Sequence, residues 1–311
     1  MVNFLVSGLI NIETTLKVDR FPLEYFPVTY PFHGIQSTIS GVGFNLAKAL
    51  TILGNHVNLL SLIGMDFYEA IIRTECFEIK INDQHLLAVL PQTAQSVILY
   101  EKGGRRQIHT DLKDIQEQQY PLERFEQAAL DCDLCILCNI NFNRHLLEIA
   151  TALNKMIATD VHAIQNLEDP YNRDFMAAAN ILFLSHENLT IPPQAFIQSL
   201  WDHHQNQIIV IGLGEQGAML GLIETQSILH IPALQIRPIL NTVGAGDALF
   251  SAFLSFYQSC HDPILALQKA VLFASHKIGS NGAAQGFIDE PALSHLYQQH
   301  HHLLSPRKIH S

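Results

Sequence analysis

Residues 241–256, "NTVGAGDALFSAFLSF", set Gly244, Ala245 and Gly246 directly ahead of Asp247 and then run apolar. Beyond Asp247, the residues Leu249, Phe250, Phe253, Leu254 and Tyr257 recur at spacings of three and four, so a helix beginning near Gly244 is expected. The start of a helix presents backbone N–H groups without acceptors and favours an anion there. Glycines let a phosphate reach the backbone with no Cβ in the way. An aspartate in that first turn has two readings. It can cap the helix, worth about 1 kcal/mol, or it can act as a general base beside the bound anion. The stretch alone leaves both open.

Two further glycine-containing stretches could carry chemistry. In "SGVGFNLAKAL" (40–50), Gly41 and Gly43 permit close backbone approach and Asn45 offers a donor and an acceptor on a first helical turn. The plainer reading is a tight strand-to-helix turn with a solvated Asn. "VIGLGEQGAML" (210–220) reads as strand, turn and strand, with Gly214 and Gly217 in the turn. None of the three has the spacing of a P-loop or a complete G-x-G-x-x-G fingerprint. Cys132, Cys135 and Cys138 stand at a C-x-x-C-x-x-C spacing that soft-metal sites use. In a buried strand Cys132 and Cys138 would share a face and Cys135 would point away, with no fourth ligand following, so core packing is expected instead. His300, His301 and His302 read as a solvated helix end. Arg105, Arg106 and His109 fall on a hairpin, where exposure is the default and contact of one of them with substrate or a partner is the alternative.

These residues need elements to hold them. "NFLVSGL" (3–9) and "HVNLLSLIG" (56–64) read as buried strands, and "GFNLAKALTILG" (43–54) between them as a helix with Leu46, Ala49, Leu50 and Leu53 on one face. A helix should follow Asp66. The alternation continues through "DLCILCNI", a helix near 143–154, "MIATD", a helix near 172–179, "NILFLS", a helix near 193–203 and "QIIVIGLG". Such a pattern predicts an α/β fold with a mostly parallel sheet flanked by helices. Two β-like stretches interrupt it: 13–22 with 30–39, and a hairpin at 95–112 whose turn Gly103 and Gly104 would supply. Together, at about 13–39 and 95–112, they predict a small antiparallel β-sheet lid over a site. The tail from Leu296 is expected to end a last helix and fray.

Composition narrows the partners. The chain of 311 residues has 18 Lys and Arg against 29 Asp and Glu, a formal charge of −11, which argues against nucleic acid or an anionic membrane. The apolar fraction of 48% supports a sizeable core in one domain spanning 1–311. No signal-like start or membrane-length apolar run is evident. Five cysteines suit a reducing compartment, so a cytoplasmic protein is expected. Seventeen histidines make the net charge sensitive to pH near 6.5.

Taken in order, these stretches resemble the PfkB, or ribokinase-like, carbohydrate kinases, from "SGLINIE" to "NGAAQGFIDE". "NTVGAGDALFSAF" is similar to that family's C-terminal signature, and "SGVGFNLAKALTILGNHVNLLSLIGMD" to its N-terminal one, with Gly64 and Asp66 in place. The resemblance implies a ribokinase-like, Rossmann-type three-layer core with a β-sheet lid. It implies transfer of the γ-phosphate of ATP, with Mg2+, to a primary hydroxyl, and it leaves room for a monovalent cation.

By position, Asp247 would be the base, Gly244, Ala245 and Gly246 the anion hole, and Glu13, Gly41 and Asn45 the sugar contacts. Gly214, Gly217 and Gly282 would line the nucleotide. The metal ligands are left unassigned, because the family's Asn-x-x-Glu stretch stands here as "SHEN", with Ser185 and Asn188 at its outer positions and Glu187 one place early. Glu13 stands where many members carry Asp, Ser40 replaces a Gly, and Val42 replaces a Lys of some relatives. A small sugar is the expected acceptor and a nucleoside the alternative; an apolar shelf from Phe32 or Ile98 would favour the nucleoside. A binding protein that has lost turnover is the reading from another class. Exposed lid edges would suit a homodimer formed through the lid.

Overall fold

The computed structural model describes residues 1–102 and 105–309, so Gly103 and Gly104, expected at a hairpin turn, lie outside the described residues. The chain opens with β1 (Asn3–Ser7), β2 (Asn11–Lys17), β3 (Ile35–Ser40), α1 (Val42–Ile52), β4 (His56–Gly64), α2 (Phe67–Glu78), β5 (Leu86–Leu90), β6 (Gln95–Tyr100) and β7 (Arg106–Asp111). It continues through α3 (Leu122–Leu130), β8 (Leu134–Leu137), α4 (Arg144–Ala152), β9 (Ile157–Ala163), α5 (Arg173–Ala178), β10 (Ile181–Ser185), α6 (Pro193–His203) and β11 (Ile208–Gly212). The rest is β12 (Ala218–Leu222), β13 (Ser227–Ile231), α7 (Ala245–Cys260), α8 (Pro263–Lys277), α9 (Glu290–His300) and β14 (Arg307–Ile309).

The main sheet has ten strands in the order β14-β13-β12-β11-β10-β9-β8-β1-β4-β5. From β5 to β11 every pairing is parallel, and β12, β13 and β14 close that edge antiparallel. Alternation along β1 shows why helices cover both faces. Phe4 and Val6 enter the core under α1, α7 and α8, while Leu5 enters the opposite core with Phe125, Leu146, Phe175 and Phe196 of α3 to α6. The result is the three-layer α/β core expected. β1 pairs with β4 on one side and β8 on the other, so the chain order reverses there, the place beyond whose strands' C-terminal ends open α/β sheets bind ligands. Among the described residues, no helix is long and apolar enough to cross a membrane.

The second sheet runs β3-β2-β6-β7 and carries the residues expected in the lid, but it is mixed rather than wholly antiparallel, since β2 and β6 pair in parallel. Its first hairpin is shorter than the sequence suggested: the strands are Asn11–Lys17 and Ile35–Ser40, rather than 13–22 and 30–39. Pro22, Pro27 and Pro31 explain the difference, since proline cannot donate to a ladder. The tail also differs. Rather than fraying, Arg307–Ile309 pairs with His230–Ile228 as a final edge strand.

The cysteines depart from simple alternation as well. Cys132 Sγ lies 3.4 Å from Cys135 Sγ, because Cys132 precedes the first strand residue, Leu134, and is not bound by the strand's period. Among the described residues, no group of three His, Cys, Asp or Glu side chains is placed to hold a metal.

Candidate active site

The glycine turn at 241–247 does what its residue types predict. Gly244 is the N-cap of α7 with φ 76°, a left-handed conformation that favours glycine, and a Cβ there would lie 2.5 Å from Ala283 O. Ala245 N–H donates to Thr242 O at 3.2 Å, but the N–H groups of Gly244, Gly246 and Asp247 find no acceptor among the described residues. Gly246 is exposed. The head of a 16-residue helix thus keeps backbone donors without protein acceptors, one of them on the exposed Gly246.

Asp247 makes no capping bond to this helix. Its carboxylate turns instead to α1, where Asn45 Nδ2 donates to Asp247 Oδ2 at 2.6 Å. Asn45 reaches it from the first turn of α1, whose N-cap Gly41 (φ 98°) lacks the Cβ that would lie 2.4 Å from Leu9 O, the carbonyl to which Gly43 N–H donates at 3.0 Å. Gly43 likewise lies against Gly8, where a Cβ would come within 2.6 Å of backbone. Both glycines bring α1 close enough to β1 for Asn45 to meet Asp247.

A buried chain of polar groups links this pair to the lid. Ser40 Oγ lies 2.9 Å from Glu13 Oε2 and 3.3 Å from Asn45 Oδ1, and donates its one proton between them. Ala283 N–H, next to Gly282 (φ 72°), donates to Glu13 Oε1 at 3.3 Å. Each Glu13 oxygen keeps acceptor capacity for one further donor. Ile98 of β6 packs on Val243 and Ala283, and Arg106 Nη1 of β7 donates to Thr242 Oγ1, so the lid touches the turn ahead of α7. Phe32 is 86% exposed, whereas Ile98 is buried in that contact.

The electrostatics centre on Asp247. Burial pushes its carboxyl up from the ordinary aspartate value; the Asn45 hydrogen bond, His162 and Lys277 oppose that, and Asp160 adds to it. Lys277, the last residue of α8, is fully buried and its ammonium is pushed down to about 8, chiefly by burial, against the pull of Asp247 and Glu13.

The structure brings Glu13, Asn45 and Gly244–Asp247 together, and Gly282, expected on the nucleotide side with Gly214 and Gly217, stands next to Ala283, which bonds Glu13 and lies against Gly244. Gly214 (φ 60°) and Gly217 (φ 102°) occupy the separate turn between β11 and β12, where a Cβ on Gly214 would meet only His186 Cε1 at 3.9 Å. No hydrogen bond joins that turn to the first cluster among the described residues. The "SHEN" stretch follows β10: Glu187 N–H donates to Ser185 Oγ at 3.3 Å, and His186 contacts Gly212 O at 3.0 Å. Asp66 is structural, accepting from Tyr68 N–H and from Thr93 N–H.

Two residues of the site, Asp160 and Lys277, were not singled out, while Ser40 was noted only as a replacement for Gly and Arg106 only as a hairpin residue that could reach substrate. Asp160 was readable as the acid ending "MIATD", although β9 runs on past it to Ala163. Its carboxylate oxygen lies 3.9 Å from the place of a Cβ on Gly246.

The comparisons agree on the family. The family profile described as pfkB family carbohydrate kinase matches residues 1–290. A Mycoplasma pneumoniae protein provisionally named 1-phosphofructokinase is 25% identical over 258 residues, covering 78% of this chain and 82% of that one. An ATP-dependent ribose-1-phosphate kinase of Halopiger xanaduensis is 23% identical over 91% of this chain and 94% of its own. Among solved structures, a microbiome-derived acarbose kinase superposes with a TM-score of 0.86 at 22% identity, over 96% of this chain and 99% of that one. A Methanocaldococcus jannaschii nucleoside kinase does so with 0.79 at 17% identity, over 96% and 99%.

Proposed function

This chain belongs to the pfkB family of carbohydrate kinases, and from that premise we propose that it transfers the γ-phosphoryl group of ATP to a primary hydroxyl of a small sugar, with Asp247 as general base. The observation that carries the reading is a single buried carboxylate, held by Asn45, in the first turn of a helix whose leading N–H groups are unspent.

An alcohol attacks poorly until its proton leaves. Asp247 accepts that proton as the hydroxyl oxygen forms its bond to phosphorus and the bridging P–O bond breaks, releasing ADP. A positioned base of this kind contributes about 10²–10⁴-fold. The N–H groups of Gly244 and Gly246 face the charge on the phosphoryl oxygens, and being fixed by the fold they need no reorganisation as it grows. Magnesium bound with the nucleotide would supply further charge neutralisation. Glu13 and Asn45 orient the sugar hydroxyls, and Gly214 and Gly217 leave room beside β11 for the nucleotide.

A second reading has one observation in its favour. Arg106 reaches from the lid to Thr242, which places a guanidinium at the rim of the site where an acceptor that already carries a phosphate could meet it. The 1-phosphofructokinase and ribose-1-phosphate kinase relatives act, by name, on such acceptors.

The test is ADP release with ATP and magnesium against free sugars, sugar monophosphates and nucleosides, beside Asp247→Asn. The expected result is turnover on one acceptor class and a loss of about 10²–10⁴-fold in the variant. Ligand-induced thermal shifts without turnover on any acceptor would instead indicate a binding protein. Wild-type kcat in Asp247→Asn would end the general-base assignment.

A further inference from the structure

Lys277 is the feature of the site that neither packing nor the reaction described above uses. It ends α8, its side chain has no exposed area, and its Nζ has neither a hydrogen-bond partner nor an ion pair among the described residues. An ammonium enclosed without partners is costly, and a methionine of similar length would fill the same space. The charge is therefore retained against stability, at a place where two buried carboxylates lie within its field: Asp247 on α7 and Glu13 on β2. The other charges acting on it are Arg106 on β7 and Arg237 on the segment leading to the glycine turn. The backbone joins the same parts, since Leu240 and Asn241 N–H both donate to Ile278 O, the residue after Lys277.

We propose that Lys277 is a positioning residue for phosphoryl transfer, its enclosed ammonium acting as a fixed internal cation behind the 241–247 turn. It rests on the kinase reading above. Because Nζ is enclosed, it works through others: it favours the ionised form of Asp247, holds Glu13 in its hydrogen-bonded pose, and makes the turn a better host for phosphoryl charge. Burial pushes the ammonium down to about 8, so the cation is present below that pH and lost above it.

The experiment measures kcat/KM from pH 6 to 10 in wild type, Lys277→Met and Lys277→Ala. Wild type is expected to show a basic limb near pH 8. Lys277→Met should fold, lose about 10- to 100-fold at pH 7 and lose that limb. Lys277→Ala should regain at least tenfold with added methylammonium, which a merely structural role would not produce. A Met variant with the wild-type rate and basic limb would overturn the proposal.

Calorimetric affinity for ATP, with or without magnesium, separates this outcome from failure of the kinase reading. If wild type turns over no acceptor, the kinase reading falls. A wild-type affinity that drops about tenfold from pH 7 to 9.5, beside a pH-independent Met variant, still supports Lys277. Parallel profiles in the two proteins refute it.

Discussion

Removing the Asn45 side chain should move the acid limb of the pH–rate profile upward. Asn45 Nδ2 is 2.6 Å from Asp247 Oδ2, and both residues are nearly closed to solvent, at 3% and 9% exposure. A hydrogen bond to a charged group contributes about 1.5–3 kcal/mol, and its burial here spares it screening. Losing that bond weakens the ionised form of Asp247 relative to the protonated form, so Asn45→Ala raises its pKa further. The sign follows from the chemistry. Burial already favours the protonated form of Asp247, and the Asn45 bond favours the ionised form, so losing it adds to the existing upward shift. A general base works deprotonated, so kcat/KM falls as pH drops through this pKa, and in the variant the fall begins at higher pH. Initial rates of ADP release from pH 5 to 9 report the limb in the free enzyme. Ser40→Ala, which touches Asn45 only through a 3.3 Å contact, should shift it less. An acid limb unmoved in Asn45→Ala would mean that the group titrating in the rate is not Asp247.

Two further outcomes follow from the same geometry. Gly244→Ala forces a Cβ to 2.5 Å from Ala283 O at φ 76°, adding about 1–2 kcal/mol of left-handed strain to a backbone clash, so thermal denaturation should show a clear loss of Tm and ADP release at least tenfold less turnover. Gly214→Ala, with open space before His186, serves as the milder comparison. Arg106→Ala removes an exposed lid contact, so chemical denaturation should register no more than about 0.5 kcal/mol, while steady-state kinetics show KM for a sugar monophosphate rising at least tenfold and KM for a free sugar within threefold. Equal KM changes for both acceptors would remove the case for a phosphorylated substrate.

What the sequence could tell depended on whether a residue's partners were near it in the chain or imposed by its period. Strand–helix alternation and the glycine turn were readable because a period of 2 or 3.6 and a left-handed φ leave local marks. Whether Asp247 caps its own helix or faces across to α1 was not readable, because the answer lies 202 residues away at Asn45. Asp160 joins the site only because β9 lies two strands from β1 in the sheet. Lys277 is different, since its burial did have a local signal. Ala266, Ala270, Phe273 and Lys277 fall at spacings of four, three and four, and all four are buried, so the helical period of α8 sets this lysine on the stripe that packs into the core. A lysine in a helix's last turn ordinarily reads as a solvated partner of the helix dipole, and that expectation hides the signal. The dipole explains a cation near a helix end but not one on the apolar face, and that mismatch is what a sequence alone could have used to find it.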